Sequence, residues 1–146
     1  MGKQVVIIPT YNESENIEPM IRRVMEVLPE THMLIVEDNS PDGTADIVRK
    51  LMAAYPGRLH MEERTGKLGL GTAYVFGFQW AIERKYDFIF EMDADFSHNP
   101  KELPVLLQAC DDEGHDLAIG SRYVNGVNVV NWPMGRVLMS YYASAY

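Results

Sequence analysis

Two uninterrupted apolar runs, Val5-Val6-Ile7-Ile8 and Met33-Leu34-Ile35-Val36, constrain this chain more than any other feature. Each has the length of a strand and neither alternates with polar residues, so each needs cover on both faces. Strands of that kind belong inside a parallel sheet, and the segments between them carry a helical period. After Thr10-Tyr11-Asn12-Glu13-Ser14-Glu15, where Asn12 reads as an N-cap with Glu15 three residues on, apolar residues recur at Ile17, Met20, Ile21, Val24, Val27 and Leu28. A second helix runs through Ile47, Val48, Leu51 and Met52 and stops at Tyr55-Pro56-Gly57, and Arg58 to Glu62 reads as a short third strand. Gly66-Lys67-Leu68-Gly69-Leu70-Gly71-Thr72 opens a third helix with Tyr74, Phe78, Ala81 and Ile82 on one stripe. Phe88-Ile89-Phe90 is a fourth strand. Asn99-Pro100 then supplies an N-cap and a first-turn proline for a helix reaching Asp111, and Asp116 to Gly120 is expected as a fifth strand. This order predicts an α/β fold, a mostly parallel, Rossmann-like sheet with helices on both faces. Such sheets bind ligands beyond the C-terminal ends of their strands.

At 146 residues and 47% hydrophobic, the chain has the size and apolar content of one domain with its own core. A net charge of −8 excludes general nucleic-acid binding, which needs a basic face, and disfavours a uniformly anionic membrane surface. The single cysteine, Cys110, fits a reducing compartment and reads as a small buried apolar residue. The opening residues lack the pattern of a secretory leader, and no run approaches the length of a membrane span.

The chemistry concentrates at strand ends. Phe88-Ile89-Phe90-Glu91-Met92-Asp93-Ala94-Asp95 brings two carboxylates to the end of the fourth strand. In extended backbone they would share a side about 7 Å apart, and at an effective dielectric near 20 they would repel by roughly 2 kcal/mol. A cation relieves that repulsion; oxygen ligands suit Mg²⁺ or Mn²⁺ held jointly with a substrate diphosphate. Two exposed acids in a turn is the plainer reading of Asp-x-Asp alone. A dinucleotide-binding turn is excluded, because Pro9 to Ser14 contains no glycine, and Gly66-x-x-Gly69-x-Gly71 has neither that fingerprint's order nor the Lys-Ser/Thr pair of a P-loop. Lys67 and the helix start beside it still suit a phosphate. Tyr11 offers a face for a flat ring, Glu13 and Asp38 accept hydrogen bonds from base or ribose, and Arg122 can grip phosphate through two bonds.

Taken together, Pro9-Thr10-Tyr11-Asn12-Glu13, Asp38-Asn39-Ser40-Pro41-Asp42-Gly43-Thr44, Lys67-Leu68-Gly69-Leu70-Gly71-Thr72-Ala73-Tyr74, Met92-Asp93-Ala94-Asp95 and Gly120-Ser121-Arg122-Tyr123 resemble the dolichol-phosphate (polyprenol-phosphate) mannosyltransferases, inverting glycosyltransferases of the GT-A fold. The resemblance runs from about Gln4 to the end of the chain. It implies that Pro9, Tyr11, Glu13, Val36 and Asp38 hold guanosine, that Asp93 and Ala94 face ribose and diphosphate, and that Asp95 is the principal metal ligand with Asp93 close to the ion. It also implies that Arg122 contacts the sugar-phosphate region. Some relatives carry glutamine where Ser97 stands, so the resemblance leaves a third side-chain ligand open here. His98 reads as a helix-entry residue, and His32, His60 and His115 as structural.

The implied reaction moves mannose from GDP-mannose to a polyprenyl phosphate with inversion, with Mg²⁺ or Mn²⁺ as cofactor. Residues 1–123 are then a nucleotide-sugar-binding core and 124–146 the start of an acceptor-facing region that breaks off. The apolar, tyrosine-rich segment Met134 to Tyr146 reads as a helix suited to peripheral contact at the cytoplasmic face of a membrane, or to packing against further chain. Three other readings stay open: a related transferase using another GDP- or UDP-sugar, a nucleotide-sugar-binding module without turnover, and a phosphohydrolase using Asp-x-Asp. The last expects its acid pair after the first strand, whereas this pair follows the fourth.

Overall fold

A computed structural model describes residues 2–121 and 133–144. In chain order the elements are β1 (Gln4–Thr10), α1 (Ile17–Val27), β2 (His32–Glu37), α2 (Thr44–Ala54), β3 (Leu59–Glu63), α3 (Leu70–Glu83), β4 (Phe88–Glu91), a 3-10 turn (Pro100–Glu102), α4 (Leu103–Asp111) and α5 (Met134–Ser144). The four strands form one parallel sheet in the order β3-β2-β1-β4, with Val5 opposite His32 and Ile89. The chain thus builds outward from β1 to β2 and β3, then returns to place β4 on the other side of β1. That reversal makes a crevice between the C-terminal ends of β1 and β4.

The apolar runs divide by parity. Val6, Ile8, Met33 and Ile35 pack under α1, α2 and α4, while Val5, Ile7, Leu34 and Val36 pack under α3. All eight are fully buried, as continuous apolar runs require in a sheet covered on both sides. Helix α3 lies close against the sheet because Gly77 permits it: a Cβ there would stand 2.6 Å from Ile7 Cγ2. Its inward stripe is Ala73, Gly77, Trp80 and Ala81. Tyr74 and Phe78 are half-buried at the margin of that stripe, and Ile82, expected on it, is 66% exposed.

Three local expectations change. Asn12 does not cap α1; it takes a left-handed turn at φ 57°, and the Glu13 carbonyl accepts from Asn16 and Ile17 at the helix entry. The chain needs that turn to bring Tyr11 and Glu13 over the sheet before α1 begins. At the other end, Asn99 does cap, accepting from the Lys101 amide with Pro100 in the first turn. Asp116 to Gly120 forms no strand: Leu117 and Ile119 are 74% and 80% exposed, with no ladder partner beside them among the described residues. An apolar strand is stable only when neighbours satisfy its main chain and cover its side chains. Cys110 is half-buried rather than buried.

His32 and His60 pack with Trp80 and Tyr86, the ring centroids 5.2–5.7 Å apart, and the Tyr86 hydroxyl bonds His32 Nδ1 at 2.7 Å. Burial lowers the pKa of both imidazoles. They belong to the scaffold, as their sequence setting suggests.

Candidate functional site

A cavity of about 200 Å³ opens at the crevice, and eight of the residues singled out in the sequence line it: Pro9, Tyr11, Glu13, Asp38, Lys67, Asp93, Ala94 and Asp95. They come from the ends of β1, β2 and β4 and from the glycine-rich segment before α3, so the sheet register assembles them. Val36 is elsewhere: its side chain is fully buried beneath α3. Arg122 lies outside the described residues. A larger groove, about 310 Å³, opens between the end of α1 and α4 and is lined by Gln4, Leu28, Pro104 and Leu107. It lies at the N-terminal end of β1, away from the strand ends that carry the polar chemistry.

The wall after β1 and β2 is tied together by short polar side chains. Asp42 accepts from the amides of Ser14 and Thr44 at 3.0 and 3.1 Å and from the Thr44 hydroxyl at 2.6 Å, and that hydroxyl accepts from the Glu13 amide. Partial desolvation pushes the Asp42 carboxyl up, but the bonds from Thr44 and Ser14 outweigh it and hold it at about 2. Buried Glu37 takes the amide and hydroxyl of Ser40, whose oxygen in turn accepts from the Asn12 amide. Ser40-Pro41-Asp42-Gly43-Thr44 therefore fixes the loop that presents Tyr11 and Glu13. Its glycine is required where it stands, since Gly43 enters α2 at φ 88°.

Sequence reasoning missed Arg64. The first residue past β3, it donates through its guanidinium to both oxygens of Asp38, at 2.6 and 2.7 Å. The two side chains are only 9% and 8% exposed. The signal was available: a basic residue at the end of the third strand obeys the same positional rule that selected Asp38 and Asp93.

The β4 side is built differently. The strand ends at Glu91, and Ala94 and Asp95 form a turn, so the extended geometry expected of Asp93 to Asp95 does not continue through them. Met92 and Ala94 are buried anchors at 2% and 3% exposure, which turns Asp93 and Asp95 toward the cavity. Asp93 accepts from the Tyr74 hydroxyl at 2.8 Å, while its amide donates to His98 Nδ1 at 3.2 Å. Burial and the bond to Asp93 push the Tyr74 pKa up, so it stays a donor. Desolvation works to raise the Asp95 pKa, yet the bonds from Ser97 prevail and hold it below the usual carboxylate range. Phe96 is left-handed, at φ 60°, an unusual backbone for an aromatic residue. Across the cavity Lys67 Nζ lies 4.7 Å from the centre of the Tyr11 ring.

Two ionised or ionisable carboxylates on one wall are a partial donor set for a hard divalent cation. Among the described residues no three His, Cys, Asp or Glu side chains converge; Asp93 and Asp95 could hold such an ion only together with ligand oxygens and water. The residues present fit Mg²⁺ or Mn²⁺ on those terms.

The sequence matches the glycosyl transferase family 2 profile over residues 5–145, nearly its whole length. This chain belongs to glycosyl transferase family 2. Within that family it is 51% identical over 144 residues to the polyprenol monophosphomannose synthase of Mycolicibacterium smegmatis, covering 99% of this chain and 54% of that protein. It is 47% identical to the undecaprenyl-phosphate mannosyltransferase of Micrococcus luteus, covering 97% of this chain and 57% of that one. The chain therefore spans about half the length of these curated relatives. Among solved structures, the family 2 chain is similar to the Pyrobaculum calidifontis mannosyltransferase PcManGT, which was determined in complex with GDP-Man and Mn²⁺; identity is 28%, TM-score 0.58, and coverage 64% of this chain and 28% of that one. Staphylococcus aureus TarS in complex with UDP-GlcNAc shares the fold at a TM-score of 0.65 and 22% identity, over 84% of this chain and 38% of that one.

Proposed function

We propose that this chain is the donor-binding half of a metal-dependent, inverting mannosyltransferase that moves mannose from GDP-mannose to a polyprenyl phosphate. The observation that carries the reading is 51% identity, over almost the entire chain, to a polyprenol monophosphomannose synthase. The cavity suits such a donor. Tyr11, Glu13, Asp38 and Lys67 line it; in this reading Tyr11 and Asp38 would receive the base, Glu13 would accept from base or ribose, and Lys67 would meet phosphate. Asp93 and Asp95 would hold the divalent ion. A bound ion supplies Lewis-acid stabilisation of the charge that builds on the departing diphosphate. Arg122 would add a second cation to that region.

The acceptor asks little of the protein. A phosphomonoester with a second pKa near about 6 is largely dianionic at neutral pH, so no side chain need act as general base, and Asp95 is read as a ligand. Residues 1–123 form the nucleotide-sugar unit in this reading, and 124–146 begin the acceptor-facing part. Helix α5 presents Met134, Leu138, Met139 and Tyr142, all exposed, which suits peripheral contact with the cytoplasmic face of a membrane. Among the described residues no helix is long and apolar enough to cross one.

The test supplies undecaprenyl phosphate, Mn²⁺ or Mg²⁺ and labelled GDP-mannose, with UDP-glucose in a parallel reaction. Labelled lipid from GDP-mannose alone is expected; product from UDP-glucose instead would overturn the donor assignment. The half-length coverage of the relatives favours one second reading, a nucleotide-sugar-binding unit without turnover. GDP-mannose binding with no labelled lipid would favour it.

A further inference from the structure

The guanidinium of Arg64 is committed in two directions. Nε and one terminal nitrogen donate to the two oxygens of Asp38, the arrangement in which arginine grips a carboxylate best. The same terminal nitrogen also reaches the Gly69 carbonyl at 3.3 Å, and the other donates to the Thr72 hydroxyl at 3.0 Å. Thr72 lies close to the Leu68 and Gly69 carbonyls, at 2.9 and 2.8 Å. Gly69, at φ 102°, is the residue on which the segment carrying Lys67 turns into α3. The main chain fixes Arg64 in place, because its amide donates to the Glu37 carbonyl at 2.8 Å and so extends the β2–β3 ladder by one residue.

Asp38 and Gly69 both line the cavity, whereas Arg64 does not. It stands behind the wall and touches a residue at one end of the site and a loop at the other. No lysine could do this, since one ammonium cannot present the planar fork that meets both Asp38 oxygens while also reaching Gly69 and Thr72.

We propose that Arg64 is a positioning residue that couples the base-receiving carboxylate of Asp38 to the glycine-rich segment 66–72, so that occupation of one end of the cavity orders the other. A nucleoside diphosphate that meets Asp38 fixes the far end of the fork and holds Gly69 and Thr72 in register, which keeps Lys67 over the diphosphate. In the absence of ligand the same linkage passes disturbance of Asp38 to the loop. The inference rests on the donor-site reading for its ligand, but the linkage itself is testable without one.

The experiment is amide hydrogen exchange, read by mass spectrometry on the whole chain, for wild type, Asp38→Asn, Arg64→Gln and Arg64→Lys. Asp38 has no bond of its own to residues 66–72, so a local role for it leaves their exchange unchanged. The coupling predicts instead that Asp38→Asn speeds exchange in 66–72 several-fold, toward the rate in Arg64→Gln, with α1 unaffected. Arg64→Lys is expected not to rescue. Unchanged exchange in Asp38→Asn, or full rescue by lysine, would overturn the coupling. Adding GDP with Mn²⁺ is expected to slow exchange in wild-type 66–72, and both Asp38→Asn and Arg64→Gln to need at least tenfold more GDP for the same protection. Equal protection in Arg64→Gln would also overturn it. If GDP protects no part of the wild-type cavity, the donor-site reading falls, while the ligand-free comparison still decides the linkage.

Discussion

The wall of the cavity built after β1 and β2 and the wall built after β4 hold their acids in opposite ways. On the first, Glu37 and Asp38 are buried, and both oxygens of Glu37, Asp38 and Asp42 are taken by neighbours: Ser40 on Glu37, Ser14 and Thr44 on Asp42, Arg64 on Asp38. On the second, the strand is at the sheet edge and already finished, and Asp95 is exposed, with Ser97 alone among the described residues bonding to its side chain. The first wall is therefore set by the protein alone, whereas the second leaves carboxylate lone pairs open for a cation. On the proposed reading, a site divided in this way would receive a nucleoside on a preformed surface and complete its reactive end only with metal and diphosphate.

The largest expected effect breaks the open wall. Asp95→Ala removes the principal ligand in the proposed site; Lewis-acid stabilisation is worth several kcal/mol, so turnover should fall on the order of 100-fold or more. GDP affinity should drop in Mn²⁺ and stay unchanged in chelator. Equal losses under both conditions would show that Asp95 belongs to the preformed wall after all.

Next comes Arg64→Ala, which leaves a largely buried Asp38 without its partner. Breaking such a pair costs about 3 kcal/mol, readable as a lower denaturation midpoint with the slope unchanged. No similar loss is expected from Asp95→Ala, and the difference in stability between the two variants measures how unequally the walls are built.

Tyr74→Phe is a smaller change that spares the ring and removes the donor to Asp93. One hydrogen bond to a carboxylate is worth about 1.5 kcal/mol, so Mn²⁺ affinity, followed by electron paramagnetic resonance in the presence of GDP, should weaken roughly tenfold. Guanosine binding should not move.

The smallest effect is one of pH. The folded Asp42 carboxyl sits at about 2, below its unfolded value of about 4. Its contribution is therefore complete above pH ~4 and disappears as pH falls toward ~2, because the unfolded chain takes up the proton first. Asp42→Asn should flatten that part of the stability profile, which urea midpoints between those pH values would reveal. The group is well exposed, so only a slight change of slope is expected.

Much of this was legible from residue order. The runs Val5 to Ile8 and Met33 to Val36 could only be interior strands, and once β1 and β2 were placed, the positional rule for parallel sheets picked out Tyr11, Glu13, Asp38, Asp93 and Asp95, all of which line the cavity. Other features depend on tertiary geometry that periodicity does not carry. Asn12 looks like a helix cap by residue type, but the Ser40 and Thr44 hydroxyls that accept from the Asn12 and Glu13 amides lie 28 and 31 residues away in sequence. Leu117 and Ile119 have strand composition, and composition cannot supply a neighbour to pair with. Arg64 could have been picked out by its position at the end of β3, but its partner Asp38 emerges only once that end is set beside the end of β2. Tyr74 was read as part of an apolar stripe, although a half-buried tyrosine needs a partner for its hydroxyl and finds it in Asp93.

The most direct test is a calorimetric titration of the chain with guanosine, GDP and UDP, each with Mn²⁺ and with chelator. A preformed nucleoside wall beside a metal-assembled one predicts that guanosine binds equally in both conditions, that Mn²⁺ strengthens GDP at least tenfold, and that UDP binds more weakly than GDP throughout. Metal-independent GDP binding, or a preference for UDP, would contradict it.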